Sequence, residues 1–224
     1  MTITNECNME LMKRYSNNYF DLAIVDPPYF SGPEKRKYYG NSINKLNIKR
    51  TDYNPLNDSW KLPTEEYFNE LFRVSKNQII WGCNYYAKYI PSVGRIVWNK
   101  VNGESSFSDA EIASCSFHDS VRLFSFMWNG MMQGSGFDGK VNGNKKLNEK
   151  RIHPTQKPVA LYKWILDKYA KQDDKILDTH LGSGSIAIAC YDYGFELTAC
   201  EINKDYFDKS IERINNHISQ QKLF

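Results

Sequence analysis

The sequence predicts an α/β fold in which a mostly parallel sheet carries helices on both faces. Two observations lead to this prediction. Short apolar runs alternate along the chain with longer amphipathic stretches. The short runs are bounded by turn residues and are too short for helices, as expected of buried strands. Regular alternation of this kind indicates parallel strands joined by crossover helices.

The first half of the chain predicts five strands and one helix. Phe20–Val25 is a buried strand because two prolines stop it directly. Residues 64–74 form a helix, with Thr64 as N-cap, acidic residues in the first turn and an apolar face. β-rich runs separated by polar turns predict further strands at 78–81, 95–98, 111–117 and 121–127.

The second half predicts two strands and three helices. A helix over 158–170 starts with a proline. The strand Lys175–Asp178 then leads into a helix that opens over 184–191. A strand at 195–200 and a long amphipathic helix at 203–218 complete the order; Ile211, Ile214 and Ile218 share a face of this last helix.

Two long segments, 30–63 and 129–151, fit no regular element. Loops of this length inside a compact domain are usually functional or disordered. No internal repeat and no linker composition is present, so residues 1–224 are expected to form one domain.

Composition indicates a globular cytoplasmic protein. The net charge is +3, which excludes a basic tail protein and an acidic disordered protein. The five cysteines are dispersed without a C-x-x-C pair, so reduced thiols are expected. The four histidines are dispersed as well, and no metal is expected. The first ten residues lack the apolar core of a signal peptide, and no apolar run is long enough to span a membrane.

The sequence Asp26-Pro27-Pro28-Tyr29 follows the first predicted strand directly. In open α/β sheets, ligands bind beyond the carboxyl ends of strands. The prolines lack N–H donors and leave their carbonyls free to accept, and an ionised carboxylate also only accepts. The group therefore suits a substrate that donates two hydrogens, such as an exocyclic amine, with Tyr29 as a stacking surface. The competing interpretation is an ordinary proline turn with a solvent-facing aspartate.

A glycine-rich turn follows the strand that ends at Asp178. Gly182 and Gly184 allow close backbone approach, and the helix that begins there offers free N–H groups. Glu201 comes at the end of the next predicted strand, directly after its last residue and 23 residues after Asp178, where an acidic residue commonly binds ribose hydroxyls. The phosphate-binding G-x-G-x-x-G form is absent, so a nucleoside ligand without pyrophosphate is expected. A plain βαβ unit with a tight turn is the competing interpretation.

The segment 151–158, with the sequence R-I-H-P-T-Q-K-P, leads into the helix before the glycine-rich unit. Lys157 lies at this helix start and could meet an anionic end of a ligand, such as a carboxylate. Taken alone, the segment is better explained as a loop followed by an N-terminal proline.

Together the three motifs resemble the amino-methyltransferases of DNA that use S-adenosylmethionine. D-P-P-Y resembles their catalytic motif, and D-T-H-L-G-S-G-S resembles their cofactor motif, usually D-P-F-x-G-S-G-T. The order, with the catalytic motif first, resembles the circularly permuted β group, which includes cell-cycle and phage adenine methyltransferases. The resemblance covers nearly the whole chain and departs from the pattern at Thr179 and His180.

The resemblance implies a Rossmann-like methyltransferase fold, S-adenosylmethionine as cofactor and double-stranded DNA as partner. It implies that adenine flips out of the duplex into the Asp26–Tyr29 pocket. Asn5-Glu6-Cys7 resembles the family segment that borders the cofactor adenine, with Glu6 accepting from its amino group. The implied cofactor-binding residues are Glu6, Cys7, Asp26, Thr155, Lys157, Asp178, His180, Gly182, Ser183, Gly184, Ser185, Glu201 and Ile202.

Basic residues cluster in two stretches. Residues 30–50 and residues 139–157 each carry a net charge of +5, which leaves −7 for the rest of the chain. Both stretches overlap the long segments beside the motifs, so contact with the DNA backbone is expected there rather than a merely solvated surface. The predicted DNA-binding residues are Lys35, Arg36, Lys37, Lys45, Lys49, Arg50, Lys145 and Lys146.

Several alternatives remain open from the sequence. N4 methylation of cytosine uses nearly the same chemistry, although S-P-P-Y is commoner than D-P-P-Y among such enzymes. A catalytically idle DNA-binding module is a different class, against which the intact motifs argue. RNA is a further possible substrate, and a homodimer is possible by analogy with the β group.

Overall fold

The computed structural model describes residues 1–29, 60–103, 108–128, 132–134 and 148–220. Its strands are β1 Thr2–Thr4, β2 Phe20–Val25, β3 Ser75–Trp81, β4 Gly94–Asn99, β5 Ala110–Cys115, β6 Val121–Ser125, β7 Met127–Trp128, β8 Gln133–Gly134, β9 Lys175–Asp178 and β10 Glu196–Cys200. Its helices are α1 Asn8–Lys13, α2 Glu65–Val74, α3 Val159–Tyr169, α4 Ser185–Tyr193 and α5 Lys204–Ser219, with a 3₁₀ turn at Cys83–Tyr85.

Eight of the described strands form one sheet in the order β1-β10-β9-β2-β3-β5-β4-β6. Strands β1, β10, β9, β2 and β3 are mutually parallel, and β4 is parallel to β6. Strand β5 is antiparallel to both of its neighbours, β3 and β4. The carboxyl ends of the parallel strands and the amino end of β5 therefore meet at one edge of the sheet.

Helices cover both faces of this sheet, as the sequence predicts. Alternation along β2 divides its side chains between two apolar clusters. Leu22 and Ile24 pack on the face that carries α3, α4 and α5, whereas Ala23 and Val25 pack on the face that carries α1 and α2. None of the helices in the described ranges is long and apolar enough to cross a membrane.

The predicted elements are confirmed with changes at their ends. Strands β2 and β9 have the predicted bounds. Thr64 occupies the N-cap position of α2, but its side chain makes no capping hydrogen bond. Pro158 is the N-cap of α3 rather than its first helical residue. The predicted strand 121–127 is wrong at its end, because β6 stops at Ser125 and Met127 begins the separate pair β7–β8.

The predicted apolar face of the last helix is only partly correct. The buried side chains of α5 are Tyr206, Ser210 and Ile214, and Ile218 is 37% exposed. The buried face of α5 is rotated about the helix axis relative to the predicted face, because Gly184 lets Ile214 and Ser210 approach the start of α4 closely.

Candidate active site

The chemistry-bearing residues lie at the shared edge of the sheet. Asp26 directly follows β2, Asp178 is the last residue of β9, and Glu201 directly follows β10. A cavity of about 290 Å³ opens there. The predicted residues that line it are Glu6, Cys7, Asp26, Pro27, Pro28, Tyr29, Thr155, Lys157, His180, Gly182, Ser183, Glu201 and Ile202.

Asp26 forms a buried ion pair with Lys157. Its Oδ2 lies 2.5 Å from the Lys157 Nζ, and the lysine side chain is only 1% exposed. The Asp26 Oδ1 is buried and has no hydrogen-bond partner among the described residues. Burial raises the pKa of Asp26, and the neighbouring Glu111 raises it further while Lys157 lowers it. One carboxylate oxygen is therefore neutralised by the protein and the other remains an unused acceptor.

Glu111, near the amino end of β5, joins this pair into a larger charge cluster. Its carboxylate lies 2.9 Å from the Lys157 Nζ and 2.5 Å from the Lys100 Nζ, and it accepts a 2.8 Å hydrogen bond from the Tyr29 hydroxyl. The two lysines hold the pKa of Glu111 at about 2 despite its burial. We define the catalytic-edge charge cluster as Asp26, Lys157, Glu111 and Lys100.

The sequence motifs did not identify Glu111 or Lys100 as site residues. A detectable signal is nevertheless present, because Glu111 interrupts a β-rich run that is otherwise apolar or small. If such a strand is buried, the charge of an acidic residue in it is commonly compensated by a cationic partner.

Aromatic residues fix the D-P-P-Y backbone and ring. The Tyr29 ring stacks on Tyr85 at a centroid distance of 5.3 Å. A Cβ at Gly82 would lie 2.4 Å from the Tyr29 ring, so only glycine fits there, and Gly82 also has φ +70°. The Tyr86 hydroxyl donates to the carbonyls of Pro27 and Pro28. Each carbonyl oxygen has a second lone pair, so these contacts leave acceptor capacity for a substrate.

Glu201 holds the glycine-rich turn. Its two carboxylate oxygens accept hydrogen bonds of 2.9 Å from the backbone N–H groups of Gly182 and Asn203. Gly182 has φ +54°, and Gly184 has φ +75° at the N-cap of α4. Burial raises the pKa of Glu201. Each oxygen of the carboxylate can still accept one further hydrogen bond, for example from a hydroxyl in the cavity.

Thr179 and His180, which depart from the family pattern, belong to a hydrogen-bonded chain along the cavity wall. Tyr67 contacts the Thr179 hydroxyl at 2.7 Å, and this hydroxyl lies 2.9 Å from the His180 Nδ1. The His180 Nε2 lies 3.0 Å from the Asn8 amide nitrogen. Burial lowers the pKa of His180 to about 3, so the imidazole is neutral at physiological pH.

The Glu6 carboxylate also has hydrogen-bond donors within the protein. Its carboxylate receives two hydrogen bonds of 2.6 Å from Arg14 and one of 2.5 Å from the Thr4 hydroxyl. The Arg14 guanidinium lowers the pKa of Glu6 to about 2. The adjacent Cys7 is the N-cap of α1 and lines the cavity beside Glu6.

The segment before α3 is tied to α4, which places Lys157 at the edge. The Ser185 hydroxyl donates to the Lys157 carbonyl at 2.8 Å. Arg213 of α5 donates to the Ser183 carbonyl at 2.6 Å and pairs with Glu149. The Glu149 carboxylate also accepts from the first N–H of α3, at Val159.

Residues 44–212 match a family model described as a DNA methylase, of the N6 and N4 class. The matched range covers more than half of the chain and includes both the glycine-rich turn and the segment that carries Lys157. The chain belongs to the DNA methylase family. Asp26 and the rest of D-P-P-Y precede the matched range.

Individual relatives agree with this assignment. The Type II methyltransferase M.HpaI of Haemophilus parainfluenzae is 24% identical over 239 residues, which cover 94% of this chain and 73% of the relative. The crystal structure of the M1.HpyAVI–SAM complex superposes with a TM-score of 0.58 at 20% identity, covering 95% of this chain and 98% of that chain. PvuII DNA methyltransferase, described as cytosine-N4-specific, gives a TM-score of 0.56 at 12% identity, covering 96% and 90%.

The predicted fold is therefore confirmed as the Rossmann-like fold of S-adenosylmethionine-dependent methyltransferases. The prediction of a DNA methyltransferase that uses S-adenosylmethionine is confirmed at the level of the family. The family model covers the N6 and N4 class, and one structural neighbour, PvuII DNA methyltransferase, is described as cytosine-N4-specific.

The cavity residues of this DNA methylase fit S-adenosylmethionine. Gly182 lines the cavity and has φ +54°, so backbone without a side chain forms this part of the wall. Carboxylates at Glu6 and Glu201 suit the amino and hydroxyl groups of an adenosine, and the apolar side chain of Ile202 is 56% exposed beside them.

Four predicted cofactor residues have structural partners that change their expected roles. The Lys157 ammonium contacts carboxylates of the protein itself, at Asp26 and Glu111, instead of an open ligand position. Asp178, Gly184 and Ser185 are buried behind the cavity lining. Asp178 accepts from the His180 N–H at 2.9 Å, so it shapes the turn, and burial raises its pKa to about 8.

The predicted DNA-binding residues lie outside the described residues. They are Lys35, Arg36, Lys37, Lys45, Lys49, Arg50, Lys145 and Lys146. One of the basic residues counted within 139–157, Lys157, is buried in the charge cluster and is therefore not available for contact with DNA phosphates. Arg151 lies over the Trp128 ring, 4.8 Å from its centroid.

Proposed function

We propose that this DNA methylase transfers the methyl group of S-adenosylmethionine to the N6 amino group of an adenine that is flipped out of double-stranded DNA. The observation that carries the proposal is the buried Asp26 Oδ1, which lacks a partner and belongs to a residue that lines the cavity. An exocyclic amine supplies the donor that this oxygen needs, and a base inside the duplex cannot reach it.

Asp26 and Pro27 would orient the amine. The Asp26 Oδ1 accepts one amino hydrogen, and the Pro27 carbonyl accepts the other beside its contact from the Tyr86 hydroxyl. These contacts favour tetrahedral nitrogen, whose lone pair then points out of the ring plane. Tyr29, held by Gly82 and Tyr85, offers its ring to the base.

When bound, S-adenosylmethionine supplies a methyl group on a sulfonium that leaves as a neutral thioether. The amine nitrogen, oriented by Asp26 and Pro27, would form its bond to the methyl carbon as the carbon–sulfur bond breaks. The amine then loses one proton, which Asp26 or water accepts. Much of the acceleration comes from placement, since well-oriented reactants reach effective molarities of about 10⁵ M or more.

The other predicted residues would hold the cofactor. Glu201 accepts from the ribose hydroxyls and Glu6 from the adenine amino group, while the backbone at Gly182 lies close against the ligand. Cys7, Thr155, His180, Ser183 and Ile202 complete the wall. Their internal hydrogen bonds fix these positions before ligand binding, which lowers the entropy cost of association.

The aspartate in D-P-P-Y supports adenine, because S-P-P-Y is commoner among the N4-cytosine enzymes that the sequence resembles. The structural likeness to PvuII methyltransferase supports cytosine as the second candidate. Both bases present a conjugated exocyclic amine, so Asp26 has the same task in either case.

The test combines product identification with an Asp26 variant. Wild-type protein is incubated with methyl-labelled S-adenosylmethionine and plasmid DNA, and modified bases are then sequenced. N6-methyladenine is expected. Asp26→Ala should lower kcat by about 10³-fold, comparable to loss of one preorganised polar contact, with the S-adenosylmethionine Kd changed only a few fold. Asp119→Asn, at an exposed aspartate, is the control.

The other outcomes are equally informative. N4-methylcytosine as product would replace the adenine proposal by the cytosine one. Binding of the cofactor by calorimetry without any transfer would indicate an idle DNA-binding module. Normal turnover by Asp26→Ala would remove Asp26 from the mechanism.

A further inference from the structure

Glu111 connects two parts of the proposed catalytic site that are far apart in sequence. It accepts from the Tyr29 hydroxyl at 2.8 Å and contacts the Lys157 ammonium at 2.9 Å. Lys157 in turn contacts only one oxygen of Asp26, at 2.5 Å. The cavity lining includes Asp26, Tyr29 and Lys157 but not Glu111. Glu111 can therefore act on the substrate only through its neighbours.

We propose that Glu111 is a positioning residue, which holds the Lys157 ammonium on the Asp26 Oδ2 and thereby keeps the Asp26 Oδ1 free for the amino group of the target base. This inference rests on the proposed function, and it adds a residue that no sequence motif includes.

The donor capacity of Lys157 supports this role. An ammonium has three hydrogens and rotates freely about its stem. Without a second carboxylate, it would be drawn toward both oxygens of Asp26, and the unused Oδ1 would lose its availability. Glu111 is a competing acceptor 2.9 Å from the ammonium, which is thus shared between one oxygen of each carboxylate.

The charge balance supports the same role. Two lysines and two carboxylates cancel within the cluster, although Lys157 is almost fully buried. Lys100 neutralises Glu111 in part and keeps it ionised. Breaking a buried pair by removing one partner is costly, because the remaining charge is uncompensated. In the Glu111→Gln variant, Asp26 is therefore the one carboxylate of the cluster that still attracts the Lys157 ammonium.

A purely structural role for Glu111 makes a different prediction. If Glu111 served only to satisfy buried lysines, its loss would lower stability and would impair cofactor binding and turnover together. A positioning role changes the chemical step and the ionisation of Asp26 while the fold remains intact. Glu111→Gln keeps the size and an acceptor oxygen, which makes it suitable for separating these cases.

The experiment compares Glu111→Gln with Asp109→Asn, an exposed carboxylate two residues earlier. We expect Glu111→Gln to lower kcat by about 100-fold, which is typical of slight misplacement of reacting groups. The KM for DNA and the S-adenosylmethionine Kd, measured well below the melting temperature, should stay close to wild type, although loss of one charge from the buried cluster should lower that melting temperature. Asp109→Asn should behave as wild type throughout.

The ionisation of Asp26 gives a readout that does not require turnover. Glu111 raises the pKa of Asp26, so Glu111→Gln should lower it. Carbon NMR titration of the Asp26 carboxyl should then move to lower pH, and the acid limb of the kcat profile should move the same way. An unmoved titration would overturn the proposal, as would parallel losses of cofactor binding and turnover.

A second variant separates the two contacts of Glu111. In a Tyr29→Phe background, Glu111→Gln should still lower kcat by a similar factor, because the effect passes through Lys157. Loss of the effect in that background would overturn the Lys157 route. The base that wild-type protein modifies is measured separately, so failure of the proposed function is distinguishable from failure of this inference.

Discussion

Single buried side chains at the edge are held in ionisation states that differ from those in water. His153 is 8% exposed and contacts the Tyr206 ring edge-on at a centroid distance of 4.4 Å. Burial, together with Lys157 and Lys209, lowers its pKa to about 3. The imidazole is therefore neutral in the folded protein over the whole physiological range.

This ionisation state makes stability depend on pH. The folded pKa of His153 is below the unfolded value of about 6.5, so the unfolded chain takes up the proton first as the pH falls. The stabilising contribution is present above pH 6.5 and is lost as the pH falls from there toward about 3. Relative to His153→Asn, wild type should lose up to about 1.4 kcal/mol of unfolding free energy per pH unit. Urea unfolding at pH 7, 6 and 5 measures the difference, and parallel pH profiles would contradict the prediction.

At the residue scale, the sequence predicts those site residues that are placed by the strand or turn to which they themselves belong. Asp26 and Glu201 directly follow strand ends, and Gly182 lies in the turn between β9 and α4, as the local pattern indicates. Glu111 and Lys100 could not be assigned in this way, because their importance depends on contacts with Lys157 and Tyr29 from distant parts of the chain. The hydrogen bonds from the Tyr86 hydroxyl to the two proline carbonyls likewise follow only from the tertiary structure.

Among the elements, α4 has a start that the packing of α5 constrains closely. Gly184 has φ +75°, and a Cβ there would lie 2.9 Å from the Ile214 Cδ1 of α5. Gly194, at the other end of α4, has φ +78° with open space around it. The two glycines therefore share a left-handed backbone and differ in their surroundings.

This pair separates backbone strain from steric overlap. Gly194→Ala should lower the free energy of unfolding by about 1 kcal/mol, from the left-handed backbone alone. Gly184→Ala should cost about 1–3 kcal/mol more, because Ile214 must also move. Gly184→Ala should also weaken S-adenosylmethionine binding, since the turn lies beside the cavity. If chemical denaturation shows equal losses of unfolding free energy for the two variants, then α5 moves away from the new Cβ at no energetic cost.

The elements that sequence reasoning found are those with long or strongly bounded apolar patterns. Prolines and the glycine-rich turn fix the ends of β2 and β9, and both were predicted at their observed bounds. Strand β1 and helix α1 were missed because they span three and six residues. Such short elements are stabilised by tertiary pairing, here of β1 with β10, rather than by local preference.

At the scale of the whole molecule, the net charge of +3 averages over an acidic body and two basic stretches. The stretch at 30–50 starts directly after Tyr29, a residue that lines the cavity. Contact of this stretch with DNA stays a prediction, as does the homodimer. Its physical basis is counterion release, which makes affinity depend on salt.

The affinity for duplex DNA should therefore fall steeply as salt increases. Replacing Lys35, Arg36 and Lys37 by alanine should reduce the log–log slope by about 0.9 for each residue that contacts a phosphate. Fluorescence anisotropy across a salt series measures the slope. The matched control replaces Lys76, Lys168 and Lys171, which are exposed and lie on α3 or near the amino ends of β3 and β9, away from the cavity edge. Equal slopes for the two triple variants would contradict the prediction.

The charge cluster also joins contacts of very different sequence separation. Lys100, which directly follows β4, and Glu111 on the neighbouring antiparallel strand β5 are 11 residues apart, whereas Asp26 and Lys157 are 131 residues apart. In chain-closure entropy, the second pair costs about 2 kcal/mol more than the first. The ion pair between Lys100 and Glu111 therefore requires only the closure of a local hairpin. Glu111 gains this partner without the closure of the longer loop that joins Asp26 and Lys157. The ion pair of the proposed catalytic carboxylate therefore spans the longest loop in the cluster, which contains strands β3 to β8.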